Sequence, residues 1–209
     1  MKILAVSDEE LPFIYSPTLR TRFADVDFVI SCGDLPHFYL EYIVSTLDRP
    51  LYFVRGNHAP EVELTTGGER RSPWGAVELT HLKMVRAPHD LLITGLEGSL
   101  RYNYGRHQYT QSQYWMKVWM LTPLLFLNRM LYGRYLDIFV THAPPWKIHD
   151  KEDLPHQGIK AFVWLDTVFQ PLYHLHGHIH IYRQDTPVVT WVKKTRVVNA
   201  FGYREIIIP

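Results

Sequence analysis

Five short polar clusters in the chain combine residue types that bind metal ions. Each follows an apolar or β-branched run, and the clusters are Asp8 with Glu10, Gly33-Asp34, Gly56-Asn57-His58, Thr141-His142 and Gly177-His178-Ile179-His180. Two divalent ions about 4 Å apart require hard oxygen donors, neutral imidazoles and one carboxylate that bridges them. The glycines before Asp34, Asn57 and His178 permit sharp turns and a close approach of the backbone. The pattern therefore predicts a dinuclear metal centre.

Strands and helices must bring these clusters together. The runs read as buried strands are Lys2–Val6, Val26–Ile30, Leu51–Val54, Leu91–Thr94, Leu136–Val140 and Tyr173–His176. Helical patterns lie between several of them, at Phe38–Thr46, at Gln111–Tyr132 with Pro123 expected to break or kink it, and at Gly158–Phe169. This alternation predicts α/β layers, and the carboxyl edge of such a sheet is where ligands bind. We expect all five clusters to converge at that edge.

The C-terminal third has a different pattern. Three close-set strands are predicted without a helix between them, at Pro187–Val192, Thr195–Asn199 and Tyr203–Ile208, as an antiparallel addition to the sheet. Leu64–Pro73 is predicted to be a polar loop. We find no internal repeat and no linker rich in Gly or Ser, so residues 1–209 are expected to form a single domain.

Composition excludes several classes of protein. The 22 Lys and Arg residues balance 21 Asp and Glu residues, which argues against a nucleic-acid binder. Cys32 is the only cysteine, so an internal disulfide is impossible and a reducing, cytoplasmic setting is expected. The longest apolar run, Val118 to Leu127, is about half the roughly 20 residues that a membrane span requires.

The order of the motifs resembles that of the calcineurin-like metallophosphoesterase family. That signature is Asp-x-His, Gly-Asp, Gly-Asn-His-Asp/Glu, a lone His and Gly-His-x-His, and the matching residues run from Asp8 to His180. The resemblance implies a four-layer α/β/β/α sandwich of two mixed sheets. It also implies hydrolysis of a phosphomonoester or phosphodiester in a small phosphorylated substrate by a two-metal mechanism.

Roles follow residue by residue from this resemblance. Asp8, Asp34 and His180 would hold one metal ion, while Asp34, Asn57, His142 and His178 would hold the other, so that Asp34 bridges the two. His58 would protonate the leaving alkoxide. The catalytic residues implied are therefore His58 and Asp34.

Two departures from the signature bear on activity. Glu10 stands where the family has histidine, and as a ligand it would shift the preference from zinc toward manganese, magnesium or iron, with manganese favoured. Ala59 replaces an acid that could orient His58, and Glu61 is a candidate substitute. The alternative from another class is a binding or scaffold protein with weakened catalysis, and a nuclease of the same family is a second alternative.

Three further features are open to two interpretations. His156 follows the stiff Pro144-Pro145 pair and is a candidate substrate contact, or else a residue at a helix N-terminus. His174 and His176 are expected to pack or to orient ligands rather than to bind metal. The apolar face of Gln111–Tyr132 is expected to be core or a dimer contact, which makes a homo-oligomer possible.

Overall fold

A computed structural model describes residues 1–59, 62–65, 68–80, 82–183 and 185–208. Two larger sheets dominate the described part of the chain. In spatial order, the first sheet contains β15 (Gly202–Ile207), β1 (Lys2–Ser7), β2 (Phe28–Ser31), β3 (Leu51–Phe53) and β6 (Ala76–Glu78). The second contains β13 (Val189–Val192), β14 (Thr195–Asn199), β12 (Tyr173–His176), β11 (Ile138–Thr141), β8 (Leu92–Leu96) and β7 (Val85–Arg86).

Both sheets are mixed, as the family resemblance implies. Strands β1, β2, β3 and β6 run parallel, and β15 pairs antiparallel with β1 at the edge. Strands β14, β12, β11 and β8 run parallel, while β13 and β7 are antiparallel edge strands. The prediction of α/β structure is confirmed. The predicted antiparallel C-terminal addition is only partly correct, because β14 joins β12 in parallel and β15 belongs to the other sheet.

Smaller elements complete the described structure. Two-stranded sheets pair β4 (Glu63–Thr65) with β5 (Gly68–Arg70) and β9 (Ser99–Leu100) with β10 (Gln108–Tyr109). Apart from Glu63, the β4–β5 pair falls within the predicted loop Leu64–Pro73, so the loop prediction was wrong for these strand residues. The helices are α1 (Thr18–Arg22), α2 (His37–Leu47), α3 (Gln111–Tyr132) and α4 (Lys160–Val168), and short 3-10 turns cover Pro88–Asp90 and Leu154–His156.

Helix α3 has the bounds that the sequence predicts. Thr110 forms a capping box with Gln113, and Gly133 ends the helix with φ of 75°. The sequence predicts that Pro123 breaks or kinks this helix. The helix continues through Pro123 without a break. No helix in the described part of the chain is long and apolar enough to cross a membrane.

Alternating side chains of the strands divide the core into three apolar clusters. Ile3 and Ala5 of β1 join Ile138 and Val140 of β11 in a cluster that links the two sheets. The opposite face of the first sheet packs with residues of α1 and α2, and that of the second with residues of α3 and α4. This distribution is what the expected four-layer order requires, because each sheet then buries both of its faces.

Candidate metal centre

The predicted ligands follow parallel strands of two different sheets. Asp8, Asp34 and Asn57 come after β1, β2 and β3 of the first sheet, whereas His142 and His178 come after β11 and β12 of the second. The carboxyl ends of both sets of strands meet, because the Nδ1 atom of His142 lies 2.8 Å from the carbonyl oxygen of Cys32, just beyond β2. The convergence expected at one sheet edge therefore occurs between two sheets.

Three glycines allow the carboxyl ends of these strands to approach one another closely. A Cβ atom on Gly56 would lie 1.9 Å from Oδ1 of Asp34, and one on Gly177 would lie 1.9 Å from Oγ of Ser7 and 2.5 Å from Oδ2 of Asp8. Gly33 has φ of 102°, and its Cβ would lie 2.7 Å from Nδ1 of His142. Any side chain at these three positions would displace a predicted ligand or the backbone that carries it.

Three potential ligand atoms surround one nitrogen of His142. The Nε2 atom of His142 lies 3.0 Å from Oδ1 of Asn57, 3.1 Å from Oδ2 of Asp34 and 3.1 Å from Nδ1 of His178. These residues are the set that the resemblance assigns to the shared and second metal position. Carboxylate oxygen, amide oxygen and two imidazole nitrogens form a donor set that suits a divalent transition ion.

Backbone carbonyls hold the two imidazole rings in place. Nδ1 of His142 donates to the carbonyl of Cys32 at 2.8 Å, and Nε2 of His178 donates to the carbonyl of Pro155 at 2.8 Å. Since a carbonyl only accepts, the neutral form of each ring has its lone pair on the other nitrogen, which faces the cluster. Orientation of this kind is typical of histidines that bind metal ions.

Three of the predicted ligands adopt left-handed backbone conformations. The φ angles are 65° at Asp8, 53° at Asp34 and 66° at His178. Two carboxylates fix these turns, since Asp8 Oδ2 accepts from the backbone N–H of His178 and Asp34 Oδ1 accepts from that of His58, both at 2.9 Å. Non-glycine residues in this region store strain and cluster at functional sites.

The first metal position is less tightly assembled. Ligand atoms of Asp8 and Asp34 lie within 4.8 Å of each other and of His142, which the resemblance assigns to the second position. Nε2 of His180 is 3.9 Å from Oδ1 of Asp8, and the half-exposed His180 ring stacks beside Phe201 at 4.7 Å between centroids. Asp8 and His180, two of the residues predicted for this position, therefore lie side by side.

The buried charges act strongly on one another. Burial alone would raise the pKa of Asp34, but His142 and the N–H of His58 lower it to about 2. Burial opposes charge on His142 as well, yet Asp34 and Asp8 raise its pKa to about 9. Burial and the nearby His142 lower the pKa of His178 to about 3, and burial raises that of Asp8. A cluster that shifts pKa values in opposite directions is characteristic of a functional site.

The two departures from the family signature lie beside His58. Exposed Glu10 lines a cavity of about 230 Å³ together with Asp34, His58 and Ala59. His58 itself is exposed, with its backbone anchored to Asp34. Glu61, the candidate substitute acid, lies outside the described residues.

The loop of His156 reaches the cluster through His178. The two imidazole rings are 5.3 Å apart between centroids, and the carbonyl of the preceding residue, Pro155, accepts from His178. Nδ1 of His156 forms a short contact with Asp153, which holds the ring. His156 lies at the end of a 3-10 turn rather than at the start of α4.

His174 and His176 are fully buried behind the cluster, as their expected packing or orienting role requires. His174 contacts Asp166 at 2.7 Å and Oγ1 of Thr141 at 2.9 Å, and Thr141 directly precedes His142. His176 contacts His149 at 2.9 Å. The chain of contacts from Asp166 to Thr141 supports the position of His142 from behind.

Tyr102 contacts the predicted ligand Asn57, and the sequence did not predict this contact. Its hydroxyl accepts from Nδ2 of Asn57 at 3.2 Å, which directs Oδ1 of Asn57 toward His142. Tyr102 lies in an irregular segment far from Asn57 in the chain, with no motif around it. Only its place among several nearby tyrosines could have drawn attention to it.

A larger cavity of about 510 Å³ adjoins the first metal position. It is bounded by His180 and Ile179 of the last motif and by Tyr182, Lys147, Lys151 and Thr190. Of the predicted ligands only His180 lines this space, which is large enough for the organic part of a small substrate.

Comparison with known proteins agrees with this fold. One solved structure is 15% identical, with a TM-score of 0.63, and the alignment covers 98% of this chain and 94% of that one. Another, TT1561 of Thermus thermophilus, is 15% identical with a TM-score of 0.59 over 96% of this chain and 89% of that one. At this identity the similarity shows the fold alone. No curated protein sequence matches the chain. The sequence model of calcineurin-like phosphoesterases matches residues 1–182, and the chain therefore belongs to the calcineurin-like phosphoesterase family.

Proposed function

We propose that this protein hydrolyses a phosphomonoester or phosphodiester bond in a small phosphorylated substrate with two divalent metal ions. The observation that carries the proposal is the contact of His142 Nε2 with donor atoms of Asp34, Asn57 and His178 at 3.0–3.1 Å. Such a set of oxygen and nitrogen atoms, held by backbone carbonyls and glycine turns, has the chemistry of a metal site. The balanced charge of the chain supports a small substrate rather than nucleic acid.

Asp34, Asn57, His142 and His178 would hold one ion. Asp8, His180 and the shared Asp34 would hold the other, with Glu10 as a further candidate ligand at the rim. When bound, the two ions would supply positive charge that stabilises the phosphoryl oxygens and favours ionisation of the attacking water. Protonation of the leaving group and contact with the substrate would be performed by side chains of the protein.

His58 is the proposed acid for the leaving group. Its backbone is anchored to the same carboxylate that bridges the two metal positions, and its exposed side chain borders the cavity beside that carboxylate. From there the imidazole can give a proton to an alkoxide that leaves toward solvent. His156, beside the ring of His178, is the proposed contact for the substrate.

Glu10 bears on the identity of the metal. A third carboxylate at the first position would favour manganese, iron or magnesium over zinc, because these ions prefer oxygen donors. Mass spectrometry of protein purified without added metal tests this point, and we expect mainly manganese or iron. Stoichiometric zinc would contradict it.

The activity itself is tested with bis-(p-nitrophenyl) phosphate and p-nitrophenyl phosphate in the presence of manganese. We expect turnover by the wild type, loss of both metal and activity in Asp34→Asn, and retention of metal in His58→Ala. The kcat of His58→Ala should fall by about 100- to 10,000-fold, as expected for removal of a general acid. If the wild type binds metal but shows no turnover, the alternative function as a binding or scaffold protein is favoured.

A further inference from the structure

Helix α3 carries two apolar faces, and the second is largely exposed in the described structure, with Phe126 alone in ring contact with Tyr135 and Phe169. The buried face packs against α4 and the second sheet and consists of Tyr114, Val118, Leu121, Leu125 and Asn128. The opposite face, here called the outer face, consists of Met116, Trp119, Met120, Pro123, Phe126, Leu127, Met130 and Leu131, all exposed. A helix that is apolar on all sides is normally covered on all sides.

The outer face is large enough for a stable interface. Apart from Pro123, its side chains are between 47% and 83% exposed. At about 200 Å² for a large side chain, they present on the order of 800 Å² of apolar surface. This exceeds the few hundred Å² usual on a monomer. It equals the roughly 800 Å² that each partner contributes to a standard interface.

Charge argues against an acidic partner or an anionic membrane as the occupant. Lys117 and Arg129 are the only charged residues of α3, and both are engaged within the chain. Lys117 lies 3.6 Å from Glu97 and 4.1 Å above the ring of Tyr109, while Arg129 donates to the carbonyl of Gly133. An uncharged apolar face is best matched by another face of the same kind.

Apart from Leu131, the side chains of the outer face are placed symmetrically about Pro123. Met116 and Met130 lie seven residues on either side, Trp119 and Leu127 four, and Met120 and Phe126 three. When two copies of α3 pack antiparallel about a twofold axis at Pro123, each of these positions meets its counterpart in the second copy. In a twofold interface the same patch of each copy makes reciprocal contacts, and this arrangement supplies them with apolar pairs.

We propose that the protein forms a homodimer through antiparallel packing of the outer faces of two α3 helices. The inference is independent of the proposed activity, because it rests on residues outside the metal centre. The buried face of each helix continues to hold α4 and the second sheet. The dimer therefore requires no change in the fold of either copy.

Light scattering during size-exclusion chromatography of the full chain tests the dimer. We expect twice the mass of one chain for the wild type, and the mass of one chain for Trp119→Glu and for Met130→Glu. Trp191→Glu is the matched control, because Trp191 is 65% exposed on β13 and lies outside α3, and it should remain dimeric. Circular dichroism and metal content report whether each variant is folded.

Cysteine cross-linking tests the geometry. Pro123→Cys brings two thiols together at the axis and should give a disulfide-linked dimer on mild oxidation. In Met130→Cys the two thiols are about 21 Å apart along the helices, since they are separated by fourteen residues at 1.5 Å each, and no cross-link should form. Cross-linking of Met130→Cys but not Pro123→Cys would overturn the antiparallel arrangement. A wild type that is monomeric at high micromolar concentration, or monomeric and bound to lipid vesicles, would overturn the dimer.

Discussion

Oδ2 of Asp34 and Nε2 of His142 are 3.1 Å apart, although these residues follow strands of different sheets. Each has a second anchor, because Asp34 accepts from the N–H of His58 and His142 donates to the carbonyl of Cys32. The contact thus ties the carboxyl end of β2 to that of β11. Binding of a metal ion here would be coupled to the packing of one sheet against the other.

Tyr102→Phe should weaken metal binding without unfolding the protein. The variant removes the hydroxyl that accepts from Asn57 and orients its amide. We expect about a 10-fold loss of manganese affinity, measured by isothermal titration calorimetry, since orienting partners of ligands contribute 10- to 100-fold. Tyr104→Phe is the matched control, because Tyr104 is fully exposed in the same segment. Equal affinities for the two variants would show that Tyr102 does not orient Asn57.

Gly56→Ala should abolish metal binding. Its methyl group would occupy the position of Asp34 Oδ1, at 1.9 Å, and force the bridging carboxylate to move. Gly133→Ala provides a control, since Gly133 has φ of 75° but open space around it. That control should lose about 1–2 kcal/mol of unfolding free energy from left-handed strain and keep its metal. Full metal content in folded Gly56→Ala would contradict the close approach.

Glu97 should make the free energy of unfolding depend on pH in the acidic range. Burial alone would raise its pKa, but hydrogen bonds from His107 and Tyr109 and the charge of Lys117 lower it from 4.5 to about 2. Because the folded pKa lies below the unfolded one, the stabilisation is complete above pH 4.5 and is lost as the pH falls toward 2. Protonation of Glu97 should lower the free energy of unfolding of the wild type, measured by chemical denaturation, by about 3 kcal/mol.

Glu97→Gln should remove the share of this pH dependence that Glu97 contributes, because the neutral amide does not titrate; Asp34, whose pKa is also lowered to about 2, continues to contribute. Glu152→Gln, at an exposed position, should retain the slope of the wild type. The same slope in Glu97→Gln and in the wild type would assign the effect to other groups.

His156→Ala should raise KM while both metal ions remain bound. The ring lies beside His178 and is held by Asp153, so its removal deletes a substrate contact without removing a proposed ligand. We expect about a 10-fold increase in KM, equivalent to about 1.4 kcal/mol of binding energy. His89→Ala is the control, because His89 is an exposed histidine that, like His156, is paired with an aspartate, in this case Asp27. Unchanged kinetics of His156→Ala would exclude substrate contact.

Local sequence patterns determined much of the fold. The bounds of Tyr173–His176, Thr195–Asn199 and Gln111–Tyr132 coincide with the prediction, because hydrophobic periodicity and end signals are short-range properties. The positions of Gly33, Gly56 and Gly177 likewise marked turns at which a side chain has no room. The order of metal-binding motifs identified the family before any distance was known.

Only the tertiary structure decided what lies between these elements. The assignment of β15 to the first sheet, the orientation of Asn57 by Tyr102 and the support of His142 by Asp166 through His174 and Thr141 all depend on contacts between distant segments. The exposure of one face of α3 also appeared only there, because periodicity shows that a face is apolar and not whether anything covers it. Residue types and their order set the chemistry, whereas packing of the two sheets set the distances at which that chemistry becomes possible.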